Sequence, residues 1–336
     1  MNEHSKVLEI IPSYLLDLVY FLELLAGPPS VLTTDEDEVC LHYFEDCLSD
    51  YAKEEIKRIQ KVLPKNKTVS ELVLPLILAD QDFENFQMTE LLEGHRYLIS
   101  SYKKSPDYAK APKAYKKFVA KDAQELLGAL MMIVAELERV NFKRFWLEKR
   151  LPQINDKIRT YEQGTDVMAL LDKVNAEFHT PFLSGQRIYL LSFNVNSFVV
   201  KVGDVVVGSL RLDQSAFIHS LLECWMNPVM VEPVLKPLLR RLRKNKELAK
   251  QYKLVKSIHR TLDGYVAYSL KVAFSVYLAE KFGALEEPLT YLTHKSQRAL
   301  LYYDWMTLYP KETSQALEDY FVSVVTAIEL SEEKRR

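Results

Sequence analysis

One segment of the sequence, residues 187–211, consists of short β-branched runs, whereas the remainder repeats apolar residues at helical spacing. The runs read RIYLLSFN, SFVVKVG and DVVVGSLR, and Asn-Val-Asn and Gly-Asp separate them, as turn residues separate strands. Only nine glycines occur in 336 residues, which favours helices over tightly turned β structure. These features predict a mostly α-helical α+β fold: a helical N-terminal half, a small antiparallel sheet and a helical C-terminal half.

The same change of pattern suggests how the chain is divided. Residues 1–178 read as a succession of helices, and helical spacing returns at about residue 214, after the strands. We expect a helical N-terminal region at 1–160. A second region at 161–336 is expected to contain the sheet at 187–211 and a helix at 214–227.

Two helices of the N-terminal region are expected to be long. Residues 35–64 begin with four acids and end with basic residues before Pro64, an order that suits the helix dipole. Residues 112–150 predict a single amphipathic helix. Its apolar face consists of Leu126, Leu127, Leu130, Ile133, Val134 and Leu137.

Composition narrows the class of protein. Hydrophobic residues make up 48% of the chain, enough for a sizeable core, and the net charge of −2 selects neither nucleic acid nor membrane. No apolar run approaches the roughly 18 residues of a membrane span, and the N-terminus lacks the basic and apolar regions of a secretory signal. Three cysteines form no disulfide framework. We therefore expect a soluble protein of the reducing cytoplasm.

The sequence AFIHSLLECWMNP at 216–228 covers most of the helix expected at 214–227, and this helix has one polar side on an otherwise apolar surface. At about 100° per residue, His219, Ser220, Glu223 and Asn227 lie within an arc of about 100°. The rest of the helix surface is apolar, which predicts a buried helix whose polar side faces a cavity or buried partners.

This segment resembles the active-site helix of zincin metallopeptidases, in which HExxH supplies two histidine ligands and a glutamate base. Zincins place a small sheet before that helix, as expected here, and the ending NP resembles uncharacterised bacterial zinc-dependent peptidases. In those relatives a later helix provides a third ligand, a glutamate, in a YV-x-E context followed by Arg-Ala. The sequence GYVAYSLKVAF at 264–274 has a similar frame. The resemblance implies a zincin-like C-terminal half.

The chemical positions depart from the zincin pattern. His219 matches the first histidine, but Ser220 replaces the base, Glu223 replaces the second histidine, and Tyr268 stands at the third ligand. Val272 replaces the arginine. Hydrolysis by zinc needs three protein ligands, an open position for water and a general base. At neutral pH the phenol of Tyr268 is a poor ligand because it keeps its proton, and the hydroxyl of Ser220 cannot act as the base.

Three interpretations of this helix remain open. In the first, His219 and Glu223 are an ordinary hydrogen-bonded pair in a helical core. In the second, they belong to a degenerate zincin site that is catalytically inactive but whose cleft still binds a peptide or protein. In the third, they belong to a functional metal site with unusual ligands. We favour a catalytically degenerate metallopeptidase-like protein, a pseudoenzyme with no catalytic residue and no cofactor. The alternative is a metal-dependent hydrolase in which His219 and Glu223 hold zinc.

Two basic stretches suggest a further alternative. Residues 103–121 contain seven lysines and one aspartate with aromatic residues between them, and residues 236–253 contain eight basic residues and one acid. Such stretches pair with phosphates and stack on bases, which would make the chain a nucleic-acid-associated protein. A solvated helix face and a surface loop, balanced by acids elsewhere in the chain, explain them better, since no recognised nucleic-acid motif accompanies them. We therefore expect an unidentified peptide or protein partner rather than nucleic acid.

Overall fold

The computed structural model describes most of the chain, and its residues form two compact units. The described residues are 9–27, 34–64, 67–79, 83–163, 167–178, 187–195, 199–202, 205–226, 235–242, 245–256, 261–283, 288–289, 292, 297–312 and 315–330. The first unit contains Met1–Thr160 and Gly185–Leu212, and the second contains Tyr161–Ser184 and Asp213–Arg336. Residues 187–211 thus belong to the first unit, whereas the sequence analysis grouped them with residues 161–336.

The first unit is mainly helical. Its strand β1 is Glu9–Pro12, and its helices are α1 (Tyr14–Ala26), α2 (Asp35–Cys47), α3 (Asp50–Val62), α4 (Val69–Ile77), α5 (Met88–Glu93), α6 (His95–Lys104), α7 (Pro106–Lys110), α8 (Lys113–Lys121), α9 (Ala123–Arg139), α10 (Phe142–Phe145) and the first part of α11 (Leu151–Gln163). A π-helical turn at Trp146–Arg150 joins α10 to α11. Together with the small sheet, these helices confirm the predicted mostly helical α+β class.

The sheet has four strands in the order β1-β2-β4-β3, where β2 is Arg187–Leu191, β3 is Val200–Val202 and β4 is Val205–Ser209. The strands expected in 187–211 are therefore present, but the expected antiparallel pairing is wrong for two of the three pairs. Only β3 and β4 are antiparallel, whereas β2 pairs in parallel with both β1 and β4. One of these parallel pairs involves β1, a strand that the helical reading of residues 1–178 did not include. The other arises because β4 lies directly beside β2, with β3 at the edge of the sheet.

Both long helices expected in the first unit are interrupted. Residues 35–64 form α2 and α3, because Leu48 leaves the helical conformation and Ser49 accepts a hydrogen bond from the Ala52 amide as the cap of α3. Residues 112–150 break at Asp122 and again at Asn141, whose φ of 59° is left-handed. The six residues predicted for the apolar face of this segment are all buried.

Four phenylalanines form the centre of the first unit. The rings of Phe21 and Phe142 lie 4.3 Å apart, those of Phe21 and Phe193 lie 4.9 Å apart, and Phe44 contacts Phe142 at 4.9 Å. All four side chains are at most 1% exposed. Because aromatic rings bury large areas, this cluster holds α1, α2, α10 and the segment after β2 together.

A buried carboxylate lies on the same helix as Phe21. Asp17 on α1 is fully buried and accepts hydrogen bonds from Trp146 Nε1 at 2.7 Å, Ser192 Oγ at 2.6 Å and the Phe193 amide at 2.8 Å. Burial raises the pKa of the Asp17 carboxyl, and these hydrogen bonds oppose the shift. Asp17 therefore connects α1, the π-helical turn and the end of β2.

The second unit is helical in the part of the chain that the structure describes. It contains the end of α11, then α12 (Val167–Phe178), α13 (Gln214–Met226), α14 (Leu235–Arg241), α15 (Lys246–Val255), α16 (Leu262–Lys281), α17 (Gln297–Leu308) and α18 (Leu317–Val325), followed by a π-helical turn at Thr326–Leu330. Helix α16 is the central element, since α13, α14, α15 and α17 all pack against it.

An ion pair is enclosed in the second unit. Arg298 on α17 donates from Nε to Glu329 Oε1 at 2.6 Å and from a second guanidinium nitrogen to Oε2, and the Tyr302 hydroxyl donates to the same carboxylate. Asn245 donates to the backbone carbonyl of Glu329 at 2.9 Å. All four residues are at most 4% exposed, so the network links three chain segments inside the core.

Among the described residues, no helix is both long enough and apolar enough to cross a membrane.

Candidate functional site

Helix α13 carries three of the four residues singled out from the sequence, and it is largely buried. Residues 217–222 are all buried; His219 is 1% exposed and Ser220 is 9% exposed. Phe217 stacks on Tyr161 of α11 with ring centroids 4.4 Å apart. Glu223 is the exception among the three, because it remains partly exposed. A buried helix with a polar side was expected, and the structure places His219 and Ser220 in the interior and Glu223 near the surface.

Tyr268 lies on α16, and α13 and α16 pack directly against each other. Its side chain is partly exposed, like that of Glu223. Thr261 caps the start of α16 by accepting a hydrogen bond from the Gly264 amide at 3.0 Å, which fixes where the helix begins. The helix that carries Glu223 and the helix that carries Tyr268 are thus neighbours in the second unit.

The two partly exposed side chains, Glu223 on α13 and Tyr268 on α16, interact electrostatically. Burial raises the pKa of the Tyr268 phenol above its ordinary value, and the negative charge of Glu223 raises it further. Glu223 and Tyr268 therefore lie within electrostatic range of each other. At neutral pH Tyr268 therefore keeps its proton and is a hydrogen-bond donor.

These donors do not fit a catalytic zinc ion. Zinc in catalytic sites takes imidazole, thiolate or carboxylate ligands, with one position left for water. The helix pair offers one imidazole, one carboxylate and a phenol whose raised pKa keeps it protonated. Among the described residues, no group of three or more histidine, cysteine, aspartate or glutamate side chains could hold a metal ion.

Other positions of the zincin-like pattern add little to the site. Val272, at the position of the family arginine, is fully buried on α16 and brings no charge. Asn227 and Pro228, which complete the predicted polar arc and the NP ending, lie outside the described residues.

A second candidate site, which the sequence analysis did not identify, lies in the first unit around Arg150. Two cavities share Arg150 in their walls, one of about 610 Å³ beside Cys40, Tyr43 and Phe145, and one of about 500 Å³ beside Ser192 and Arg211. Glu36 and Gln153 also line both cavities. A pair of cavities that share a buried arginine is a place where a small polar ligand could be held.

Arg150 itself is 3% exposed and extensively paired. It donates to Glu36 Oε1 at 2.8 Å and to Asp37 Oδ1 at 3.2 Å. Its guanidinium lies 4.9 Å from the ring centre of Phe193 and 5.8 Å from that of Phe145. Because acids and rings surround the cation, the arrangement is first of all an ion-pair cluster that stabilises the unit.

Asp37 connects this cluster to the sheet. It is 3% exposed, accepts a hydrogen bond from the Thr34 hydroxyl at 2.8 Å in the capping box of α2, and also accepts one from Arg211, which follows β4. Asp37 therefore joins α2 both to the π-helical turn that carries Arg150 and to the segment after β4.

The thiol of Cys40 faces the larger cavity. Burial raises the pKa of Cys40 to about 11, and the charge of Arg150 partly opposes this shift. A thiol with this pKa is almost entirely protonated at neutral pH, so it is a poor nucleophile. Cys40, Cys47 and Cys224 are all free thiols.

Two local features mark the Arg150 region in the structure. Asn141, in the wall of the larger cavity, has the left-handed backbone conformation, and Arg150 ends a π-helical turn. Both features often occur at functional sites. The sequence offers one weak signal for them, the asparagine after the apolar face of α9, since asparagine tolerates positive φ better than most residues.

The two basic stretches lie in different units. Residues 103–121 cover the end of α6, all of α7 and all of α8 in the first unit, and residues 236–253 cover most of α14 and α15 in the second. Most of the basic side chains that the structure describes in these stretches are exposed.

Comparison of the chain with protein-family models, with curated proteins and with solved structures gives no match.

Proposed function

We propose that the chain is a catalytically degenerate metallopeptidase-like protein that binds a peptide or protein through the surface between α13 and α16. The observation that carries this proposal is the electrostatic coupling of Glu223 to Tyr268 across two helices in contact. These are the residues at the positions of the second histidine and the third ligand of the zincin pattern. This coupling supports the proposal that two ligand positions of that pattern lie near each other, one now holding a carboxylate and the other a phenol, which is a poor zinc ligand.

The chemistry of these two residues suits recognition rather than hydrolysis. A protonated phenol donates one hydrogen bond and a carboxylate accepts several, and peptide backbones and side chains carry the acceptors and donors that complement these two groups. Ser220 has no basicity with which to activate water, and it is 9% exposed. His219 is 1% exposed, so a partner would contact Glu223 and Tyr268, and His219 would support α13 from the interior.

The proposal is tested by selecting peptides from a random library on the complete chain and measuring the affinity of the selected peptides. The test variant combines Glu223→Gln with Tyr268→Phe, which removes the charge and the hydroxyl but keeps the side-chain shapes. Two hydrogen bonds of ordinary strength contribute enough to weaken binding about tenfold when both are lost.

A second tyrosine–glutamate pair in the same unit supplies a matched control. The Tyr303 hydroxyl donates to Glu280 Oε2, and the control variant combines Glu280→Gln with Tyr303→Phe. We expect the control to bind the selected peptides as the natural chain does. A chain that selects no peptide, or one whose selected peptides bind both variants equally well, would contradict the proposal.

A further inference from the structure

The outer sides of three consecutive helices in the first unit carry an unusual excess of positive charge. Between Gly94 and Lys121 the sequence contains eight arginine and lysine residues and one acid, Asp107, although the whole chain has a net charge of −2. Seven of these cations are exposed. They are Arg96, Lys103, Lys104, Lys110, Lys113, Lys117 and Lys121, and we call them the basic surface.

Tyrosine rings and one lysine hold the three helices together. The Tyr102 ring on α6 lies 5.7 Å from the rings of Tyr108 on α7 and Tyr115 on α8. Lys116 donates to the Ala109 carbonyl at 2.8 Å, and its ammonium lies 5.5 Å from the centre of the Tyr108 ring. The basic surface therefore lies on a packed substructure rather than on a loose segment.

The cations of the basic surface differ from others in the same unit in lacking acidic partners. Lys57, Arg58 and Lys67 lie 2.7, 2.9 and 3.0 Å from the carboxylates of Glu54, Glu125 and Glu71. Within the described part of the chain, no cation of the basic surface lies within 4.0 Å of a carboxylate. Seven exposed cations without acidic partners, carried by three consecutive helices, attract an anionic polymer, because its binding releases condensed counterions.

One exposed aromatic ring narrows the class of polymer. Tyr97 on α6 is 64% exposed and precedes Lys104 by two helical turns, which places both on one side of the helix. An exposed ring among cations suits a single-stranded nucleic acid, since phosphates pair with the lysines and an unstacked base lies on the ring. Tyr97 is also the one large exposed hydrophobic side chain between residues 94 and 121, so apolar anchors for a lipid bilayer are scarce.

We infer that the basic surface of α6, α7 and α8 binds single-stranded nucleic acid through its phosphates, with Tyr97 stacking on a base. This interaction is separate from peptide recognition at α13 and α16, because none of its residues lies on those helices. The expected binding is tolerant of sequence, since it depends on phosphates and on a face that every base has.

Fluorescence anisotropy of the complete chain with labelled oligo(dT) and oligo(U) over a series of salt concentrations tests this inference. The test variant replaces Lys103, Lys104 and Lys117 by glutamine, and the control variant replaces Lys57, Lys61 and Lys67, which are equally exposed on helices and loops of the same unit. Three lost phosphate contacts should reduce the slope of log K against log salt by about two, and weaken binding at low salt at least about tenfold. The control should keep the natural slope and an affinity within about twofold.

Two further measurements distinguish binding of single-stranded nucleic acid from binding of other anions. Tyr97→Ala should weaken oligonucleotide binding about tenfold and leave the salt slope unchanged, because stacking involves no counterion release. Vesicles containing phosphatidylserine, and duplex DNA of equal length, should bind more weakly than the single strands. The inference is overturned if single strands show no salt-dependent binding, if the control loses as much as the test variant, or if vesicles or duplex bind as tightly as the single strands.

Discussion

Glu223 on α13 raises the pKa of Tyr268 on α16, so the charge of one helix acts on the phenol of its neighbour. In the zincin pattern that the sequence resembles, these two positions hold ligands of one metal ion. Here they provide a carboxylate acceptor and a protonated phenol donor, and the negative charge of the carboxylate disfavours loss of the phenol's proton.

The first prediction concerns the titration of Tyr268. Glu223→Gln removes the negative charge that disfavours the phenolate, so the pKa of Tyr268 should fall toward its ordinary value near 10 while staying above it because of burial. The measurement is the absorbance of tyrosinate against pH, with the Tyr268→Phe curve subtracted. An unchanged Tyr268 titration in the Glu223→Gln variant would show that the two side chains do not interact.

The second prediction concerns the enclosed network of the second unit. Glu329→Gln leaves the Arg298 cation buried without its counter-charge, which should lower the free energy of unfolding by about 3–5 kcal/mol. Asp319→Asn is the matched control, because it makes the same carboxylate-to-amide change at an exposed position of α18 and should cost less than about 1 kcal/mol. Urea unfolding followed by circular dichroism measures both. Equal effects of the two changes would contradict the structural role of Glu329.

The third prediction concerns the thiols of α2. Burial raises the pKa of Cys40 to about 11, so Cys40 should react with a disulfide reagent far more slowly than the less buried Cys47 at about pH 8. Its rate should increase as the pH rises toward 11, because the thiolate is the reactive form. Arg150→Met removes a charge that favours the thiolate and should shift this rise to higher pH. Mass spectrometry of labelled peptides distinguishes the two thiols, and a faster Cys40 than Cys47 would exclude this account.

The fold class followed from local sequence patterns, and the sheet pairing did not. Strand β1 has only four residues, and what defines it is its parallel register with β2, from Glu9 opposite Arg187 to Pro12 opposite Leu190. A local sequence pattern does not predict a strand whose formation depends on pairing with a segment so distant in the chain. The breaks at Ser49 and Asn141 were missed for a related reason, because apolar spacing continues across them although the backbone turns.

The candidate sites, like the fold, could be predicted from the sequence only where local patterns determine them. The helix spacing of residues 214–227 was enough to predict a buried helix that carries His219 and Ser220. The assignment of Tyr268 to the same site came from the zincin-like frame and stays a prediction. The cluster around Arg150 could not be read from the sequence, since its partners Glu36 and Asp37 lie 114 and 113 residues away. Only the folded chain brings these charges together.

The most direct test of the central claim is to restore metal ligands at the two coupled positions and measure zinc. The variant Glu223→His with Tyr268→Glu would join His219 in a set of two imidazoles and one carboxylate, the ligand set of many zinc peptidases. The simpler variant Glu223→His keeps Tyr268 and creates a histidine pair one helical turn apart, which should bind zinc more weakly. Circular dichroism establishes that each variant is folded, and the same changes in a His219→Ala background provide the control.

We expect elemental analysis and calorimetric titration to find one zinc ion per chain in the double variant, less tightly held zinc in the single variant, and no stoichiometric zinc in the natural chain or the His219→Ala controls. If the folded variants bind no more zinc than the natural chain, the three positions do not converge and the degenerate-site account is wrong. It is equally contradicted if the natural chain itself holds one zinc ion that is lost on His219→Ala.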